Sequence, residues 1–223
     1  TSPTRRPLPP AGDHLRRVHV ARPRCDAAQC WPQLHVDHVG WNTRLVEGQW
    51  LPTFPNAEYL FVGTEFDHWS TTEDLFGDPV FEDSVAPIQD AGLANLVKAD
   101  HTIGEFVRFE STPGHTPGSC CYSFDGNLIA GDTLFVFGCG RCDLHGGSPE
   151  EMYKSLKRLK ENLSKETIIM PGHNYSIKRK STLKEEIQGN PFFNFNNLKD
   201  FTQYRMHEHD KTRIEPYAPI IDC

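Results

Sequence analysis

Gln33-Leu34-His35-Val36-Asp37-His38 is the stretch from which the fold and the chemistry of this chain are best interpreted. It places two imidazoles and a carboxylate within four residues, directly after Trp31-Pro32. Imidazole nitrogens and carboxylate oxygens are donors that suit zinc, and closely spaced donors can surround an ion when distant residues complete the shell. The stretch therefore predicts one part of a metal site.

Three downstream motifs offer the remaining donors. They are His115 in Thr112-Pro-Gly-His-Thr-Pro-Gly118, Asp132 in Ala130-Gly-Asp-Thr133 and His173 in Met170-Pro-Gly-His-Asn174. Each motif stands where an apolar or alternating run stops and glycine begins, a pattern typical of a strand that passes a side chain to a loop. A lone HxDH would be weak evidence, whereas four such motifs in one chain indicate a metal centre.

The order of these motifs resembles that of the metallo-β-lactamase superfamily, whose HxHxDH signature is followed by a distant histidine, an aspartate and a last histidine. The resemblance implies an α/β fold, an αβ/βα sandwich. Only 32 residues precede the signature here, whereas the superfamily normally places several strands there. We therefore expect a sandwich that is truncated at its N-terminal sheet and carries a short helical C-terminal extension.

The same resemblance implies a two-metal centre. It assigns metal binding to six residues, namely His35, Asp37, His38, His115, Asp132 and His173. His35 and His115 would hold one zinc ion, and Asp132 would bridge to a second ion that the other three ligands complete. Asp37 and Asp132 are the residues to which the resemblance assigns a catalytic role.

Gln33 stands where the superfamily signature has its first histidine. A neutral amide oxygen is a poorer zinc ligand than imidazole, so the first of the two sites is weakened. The resemblance therefore leaves open whether the chain holds one zinc ion or two. Iron and manganese are alternative occupants.

Through this resemblance the chain is expected to be a metal-dependent hydrolase. Zinc lowers the pKa of a bound water to about 7, so a zinc-activated water can attack an ester, lactone, thioester or phosphotriester without a serine or cysteine nucleophile. Two alternatives stay open. In the first, the chain is a metal-binding but nearly inactive relic of the superfamily. In the second, it is an iron-dependent enzyme similar to the persulfide dioxygenases.

The two halves of the chain resemble different branches of the superfamily. Residues 34–119, with HVDHVGWNT and PTFPNAEYLF, resemble the lactonase and methyl-parathion-hydrolase-like branch. Residues 120–220, with GDTLFVFGCGR and PGHNY, resemble the glyoxalase II (hydroxyacylglutathione hydrolase) branch. This change of branch suggests a recombinant or artificial chimera. Four aromatic residues of the first half are expected to line the substrate pocket, namely Trp41, Trp50, Phe54 and Trp69.

Local signals predict the elements that carry these motifs. Tyr59–Val62 is an apolar run typical of a buried strand, and Asp125-Gly126 between two apolar runs predicts a hairpin. Thr64 is the predicted N-cap of a short helix, and Glu82–Val97 is predicted to be a broken helix. Ser148-Pro-Glu-Glu151 predicts a helix start with a capping box.

The length of 223 residues fits one large domain with flanking segments. We expect a Pro- and Arg-rich arm or remnant strand over residues 1–32, a metallo-hydrolase core over residues 33–177 and a C-terminal extension over residues 178–223. A truncated sheet leaves an edge that must be covered. This makes a homodimer a reasonable hypothesis.

Charge and cysteine content limit the expected partners. The formal net charge of -7 argues against a nucleic acid or an anionic membrane surface. No apolar run reaches the roughly 18–20 residues of a transmembrane helix. A small-molecule substrate is the expected partner. The seven cysteines are odd in number and form no regular framework, which favours reduced thiols and a cytoplasmic location.

Overall fold

The computed structural model of the chain describes residues 28–72 and 79–220, so most of the arm predicted over residues 1–32 lies outside it. The strands are β1 (Ala28–Cys30), β2 (Thr43–Val46), β3 (Gln49–Pro52), β4 (Glu58–Val62), β5 (Ala94–Val97), β6 (Thr102–Ile103), β7 (Val107–Ser111), β8 (Cys120–Phe124), β9 (Asn127–Gly131), β10 (Leu134–Phe135), β11 (Gly138–Cys139), β12 (Ile168–Pro171) and β13 (Ser181–Thr182).

The helices of the same ranges are α1 (Val36–Val39), α2 (Gly63–Thr71), α3 (Val80–Ser84), α4 (Ala86–Asp90), α5 (Pro149–Asn162), α6 (Leu183–Gly189), α7 (Leu198–Gln203) and α8 (His209–Thr212). A 3-10 turn lies at Pro191–Phe193, and a π-helical segment at Tyr204–Glu208 joins α7 to α8. Among these described helices, none has the length and apolar character that crossing a membrane requires.

Two sheets organise the strands. The first sheet is parallel and has the order β1-β4-β5. The second sheet has the order β13-β12-β9-β8-β7-β6. In it β9 and β12 pair in parallel, while the other neighbours are antiparallel. The described hairpins β2–β3 and β10–β11 form separate two-stranded pieces.

β4 shows how the first sheet joins two apolar cores. Tyr59 and Phe61 pack with Ile88 of α4 in a core on the helical side of the sheet. Leu60 and Val62 pack with side chains of the second sheet. The division follows from the strand itself, because successive side chains of a strand point to opposite faces.

Neighbouring cysteines of β8 show the same division in the second sheet. Cys120 belongs to the core between the two sheets, with Phe109 of β7. Cys121 belongs to an outer core, where Met152 and Leu156 of α5 cover the sheet. Helices α2–α4, the first sheet, the second sheet and α5 therefore form four layers. This is the αβ/βα sandwich, and the predicted fold class is confirmed.

Three local predictions are confirmed. β4 contains the predicted strand Tyr59–Val62. Asp125-Gly126 forms the turn between β8 and β9, with φ values of 43° and 73° that suit this hairpin. The Ser148 hydroxyl accepts a hydrogen bond from the Glu151 amide at 3.2 Å and caps α5. The predicted capping box itself does not form, because the Ser148 amide donates to the Gly114 carbonyl at 2.8 Å and the Glu151 carboxylate accepts from Lys154 at 3.0 Å instead.

Two local predictions are wrong. α2 begins at Gly63 directly after β4, so Thr64 lies inside the helix and is not its N-cap. The stretch Glu82–Val97 is helical only as far as Asp90, after which Gly92 turns the chain with a φ of 67° and β5 pairs with β4. Pairing with a buried strand outweighs the local helical preference of this segment, because sheet formation depends strongly on its neighbours.

The β2–β3 hairpin exposes large apolar side chains. Trp41 is 77% exposed and Leu45 is 58% exposed, and Trp50, Leu51 and Phe54 are also exposed. Leu45 and Trp50 are cross-strand partners, and exposed apolar side chains grouped in this way often mark a site of protein association. The homodimer suggested by the sequence stays a prediction, and the hairpin is an apolar surface available to it.

The C-terminal segment shares its core with the second sheet. Leu183 of α6, Phe192 of the 3-10 turn and Phe201 of α7 belong to the same apolar cluster as Leu128 of β9. Burial of such side chains stabilises the folded chain by about 1.5–3 kcal/mol each. The division predicted between residues 177 and 178 stays a prediction.

Glu186 of α6 is fully buried and ties this segment to the β10–β11 hairpin. Its carboxylate accepts hydrogen bonds from the Phe137 amide at 3.0 Å, the Ser181 hydroxyl at 2.6 Å and the Asn190 side chain at 2.8 Å. Burial raises the pKa of Glu186 to about 7, although these three donors act in the opposite direction.

This raised pKa predicts a pH-dependent contribution of Glu186 to stability. The contribution is fully present below the ordinary pKa of 4.5 and is lost as the pH rises through about 7. Compared with Glu186→Gln, the wild-type chain should lose up to about 3 kcal/mol of unfolding free energy across this interval. Urea unfolding of both proteins at several pH values measures the difference. A difference that does not change with pH would contradict the prediction.

Candidate metal centre

The metal-binding motifs meet at one edge of the two sheets. Asp132 directly follows the last residue of β9. One residue, Gly172, separates the end of β12 from His173. These strands are parallel neighbours, and Pro171 lies opposite Gly131, so their ends emerge side by side. His115 arrives on the loop between β7 and β8.

α1 brings the other three predicted ligands to the same edge. His35 immediately precedes this one-turn helix, and Asp37 and His38 lie within it. His35 and His38 are three residues apart and therefore share one face of the turn, and Asp37 Oδ2 lies 3.8 Å from His38 Nε2. The amides of His38 and Val39 donate hydrogen bonds to the His35 carbonyl at 3.0 and 3.2 Å, which fixes the turn.

Four of the predicted ligands form one compact cluster. Asp37, His38, Asp132 and His173 each offer a donor atom, and these atoms all lie within 4.8 Å of one another. His173 Nε2 is 3.1 Å from Asp37 Oδ2 and 3.2 Å from Asp132 Oδ2. His38 Nε2 is 3.5 Å from Asp132 Oδ1. Asp132 is therefore in contact with both imidazoles.

The remaining two histidines lie on the other side of Asp132. His115 Nε2 is 3.0 Å from His35 Nδ1 and 3.5 Å from Asp132 Oδ2. His115 Nδ1 lies 2.8 Å from the Arg141 carbonyl, an acceptor that requires a proton on Nδ1. That tautomer leaves the Nε2 lone pair facing the cluster, the form in which imidazole binds a metal. All six predicted ligands therefore come together.

Asp132 supplies a test of whether these residues fit a cation. Its side chain is buried, and its Oδ1 has no hydrogen-bond partner among the described residues. The backbone closes tightly around this oxygen, since a Cβ placed on Gly172 would lie 2.5 Å from it. A buried carboxylate oxygen without a partner is costly unless an ion or water satisfies it. The donor set of imidazoles and carboxylates suits zinc.

The electrostatics favour metal-binding protonation states at His35 and Asp132, whereas at His38 burial lowers the pKa but the Asp132 and Asp37 carboxylates outweigh burial and raise it. Burial lowers the pKa of His35 to about 4, and the neighbouring His115 acts in the same direction, so His35 is neutral at pH 7. Burial raises the pKa of Asp132, but the nearby imidazoles of His38, His115 and His173 lower it by more, and the net shift is downward. A neutral imidazole and an ionised carboxylate are the forms that bind metal.

Gln33 contacts a ligand of the compact cluster. Its side chain is buried, and its Nε2 lies 3.0 Å from His38 Nε2. Its Oε1 has no hydrogen-bond partner in the described part of the chain. The amide thus occupies space beside His38 without adding a charged or imidazole donor to the cluster.

Glu65 of α2 is a supporting residue that the sequence did not indicate. Its buried carboxylate accepts hydrogen bonds from the Leu34 amide at 3.0 Å, the Gly118 amide at 2.9 Å and Trp69 Nε1 at 2.9 Å. It therefore joins the segment before His35 to the segment after His115. Its sequence context, between Thr64 and Phe66 and one helical turn before Trp69, gives no sign of this role.

The structure places one of the four aromatic residues predicted to line the substrate pocket at the cavity beside the cluster. Trp69 lines a cavity of about 530 Å³ that contains the metal-binding cluster. Trp41, Trp50 and Phe54 are not among the described residues that line it. The reason is geometric: they lie on or beside the exposed β2–β3 hairpin, which directs them to solvent.

Comparison with known proteins identifies the family. Residues 34–173 match the model of the metallo-beta-lactamase superfamily, more than half of the chain. The chain belongs to the metallo-beta-lactamase superfamily. The prediction of this superfamily from the order of the motifs is therefore confirmed, and the suggestion of a chimera stays a prediction.

Several members of the superfamily are similar to parts of the chain. The probable polyketide biosynthesis zinc-dependent hydrolase PksB of Bacillus subtilis (strain 168) is 36% identical over 100 residues, 45% of this chain and 44% of that protein. A hydroxyacylglutathione hydrolase of Salmonella typhi is 42% identical over 95 residues, 41% of this chain and 37% of that protein. The chain spans about half the length of the first curated relatives that it matches.

A solved structure supports the same fold. The BLEG-1 B3 metallo-beta-lactamase is 26% identical, with a TM-score of 0.56 over 76% of this chain and 78% of that one. This coverage exceeds the span between the first and last metal-binding motifs. The fold of the metallo-beta-lactamase superfamily therefore extends beyond the motifs themselves.

Removal of the Glu65 carboxylate tests its supporting role. Glu65→Ala leaves three buried N–H groups without their acceptor, which should lower the free energy of unfolding by about 3 kcal/mol or more. The variant should also bind less zinc, because the segments that carry His35 and His115 lose their link. Urea unfolding and elemental analysis measure the two effects. Asp67→Ala, an exposed acidic residue of the same helix, is the matched control and should change neither.

Proposed function

We propose that the chain is a zinc-dependent hydrolase that acts on an ester, lactone, thioester or phosphotriester. The observation that carries this proposal is the buried Asp132 oxygen, which has no partner in the described residues yet lies among imidazoles and a second carboxylate. The names of the relatives support the reaction type, since both PksB and the Salmonella typhi protein are called hydrolases. PksB is also called zinc-dependent.

The proposal assigns the ligands by proximity. The compact cluster of Asp37, His38, Asp132 and His173, whose donor atoms already converge, would hold one ion. His35 and His115, which lie beside Asp132, would hold a second ion. When bound, zinc polarises the oxygen of the substrate and makes a water molecule acidic enough to react at neutral pH.

The protein itself contributes orientation and proton transfer. Asp132 is buried and fixed between the two groups of histidines, so its charge favours cations at a defined place. Asp37 is half exposed and lines the cavity, and its Oδ2 lies 3.1 Å from His173 Nε2. Its carboxylate is therefore positioned to accept a proton from the attacking water and return it to the leaving group.

Loss of a ligand should remove metal and activity together. His173→Ala should lose most of the zinc held by the compact cluster, and its hydrolytic rate should fall at least about a hundredfold, because the ion and its activated water are lost together. Elemental analysis and a panel of ester, lactone, thioester and phosphotriester substrates measure both quantities. His207→Ala replaces an exposed histidine outside the cluster and serves as control.

The same measurements test the alternatives. Full metal content in His173→Ala would refute the ligand assignment. Zinc binding by the wild-type chain without turnover of any substrate in the panel would favour the inactive relic. Iron binding with oxygen consumption would favour a dioxygenase-like activity.

Restoring an imidazole at position 33 should strengthen the metal centre. Gln33→His replaces an amide beside His38 by a zinc-binding group, so zinc content should rise toward two ions per chain and the hydrolytic rate should increase. Gln33→Leu, which keeps the volume but offers no donor, should give no increase. If the wild-type chain already binds two ions tightly and Gln33→His changes neither content nor rate, the view of a weakened site is wrong.

A further inference from the structure

The cavity beside the metal-binding cluster has an apolar wall on one side. This wall is formed by five side chains, namely Leu34, Trp69, Val80, Phe81 and Val85. All five belong to, or pack against, the apolar core that covers the helical face of the first sheet. The wall is therefore the part of a packed core that faces the cavity. Its shape is fixed, because packed cores deform little.

The apolar wall reaches the metal-binding cluster itself. The Trp69 ring lies edge-on to the His35 ring, with 5.2 Å between the ring centroids. Trp69 donates its one N–H group to buried Glu65, so it offers no hydrogen bond to a ligand in the cavity. Phe81 is held by an edge-on contact with Phe66 at 5.3 Å. Thr72 and Glu82 also line the cavity, so a group bound along this side meets mainly, and not exclusively, hydrocarbon and aromatic surface.

The opposite side of the cavity is polar. Tyr175 stacks against His173 with 5.4 Å between the ring centroids, and Arg141 and Arg213 lie among the lining residues. Both arginines carry carboxylate partners, Asp143 and Glu215, at 2.7 and 2.8 Å. The lining around His173 is thus more polar and charged than the lining around His35, although the Phe135 ring also contacts His173 and Tyr175.

We infer that the substrate of this site carries an apolar, straight-chain acyl group, which binds along the Trp69–Phe81 wall while the polar leaving group faces Tyr175. This inference rests on the proposed hydrolase function. It names a substrate class, esters or thioesters of medium-chain carboxylic acids, in which the scissile bond lies at the cluster and the alkyl chain extends over the apolar wall. Each methylene that leaves water should strengthen transition-state binding about threefold to fourfold.

A homologous series of substrates tests this acyl preference. With zinc-loaded protein, kcat/KM for 4-nitrophenyl acetate, butyrate, hexanoate and octanoate should rise by roughly tenfold for every two carbons until the wall is covered. Phe81→Ala should lower kcat/KM for the hexanoate about tenfold more than for the acetate. Phe106→Ala removes a phenyl ring that is 81% exposed and outside this cavity, and it should preserve the wild-type chain-length profile.

Binding without turnover separates this inference from the proposed function. Calorimetric titration with acetate, butyrate, hexanoate and octanoate should show affinity that increases with chain length in the wild-type protein and much less in Phe81→Ala. If no ester is hydrolysed but this dependence is present, the hydrolase proposal fails and the apolar acyl site stands. If esters are hydrolysed with a flat or falling chain-length profile, the hydrolase proposal stands and the acyl site is refuted.

Discussion

Parallel pairing of β9 with β12 is the constraint on which the metal centre depends. The register places Pro171 opposite Gly131, so the two chains leave the sheet at the same edge. Asp132 and His173 then face each other at 3.2 Å without any contribution from a flexible loop. The other four predicted ligands are arranged around this pair. A shift of the β9–β12 register by one residue would turn one of the two side chains away from the other.

The buried carboxyl groups of Glu65 and Glu186 hold the segments around the sheets in place by hydrogen bonds. Glu65 binds backbone and indole N–H groups of three segments, and Glu186 binds the chain before β11 and the start of the C-terminal segment. Neither has a cationic partner among the described residues; each is satisfied by dipolar donors. A carboxyl group has two oxygens that can each accept hydrogen bonds from several donors, which suits it for fixing irregular chain.

Much of the fold and of the site was predictable because strand ends carry recognisable signals. Apolar runs that stop at glycine identified Asp132, His115 and His173, and the pairing of strands explains why such ends meet. Glu65 was not predictable, because its partners are backbone groups that only tertiary packing brings within reach. The sequence also did not predict that the β2–β3 hairpin points its tryptophans to solvent. A tryptophan close to a motif in the sequence does not show whether its side chain faces the cavity or the solvent.

The adjacent cysteines of β8 lie in different layers, so the reactivity of their thiols can show in which order the layers separate during unfolding. Cys120 is sealed between the two sheets and Cys121 beneath α5, and burial raises the pKa of both thiols, that of Cys121 to about 11. A thiol that is buried and protonated does not react with alkylating reagents until its layer separates. Modification of Cys120 would therefore show that the two sheets have separated, and modification of Cys121 would show that α5 has moved away from the second sheet. The order of the two modifications would give the order in which the layers of the sandwich separate.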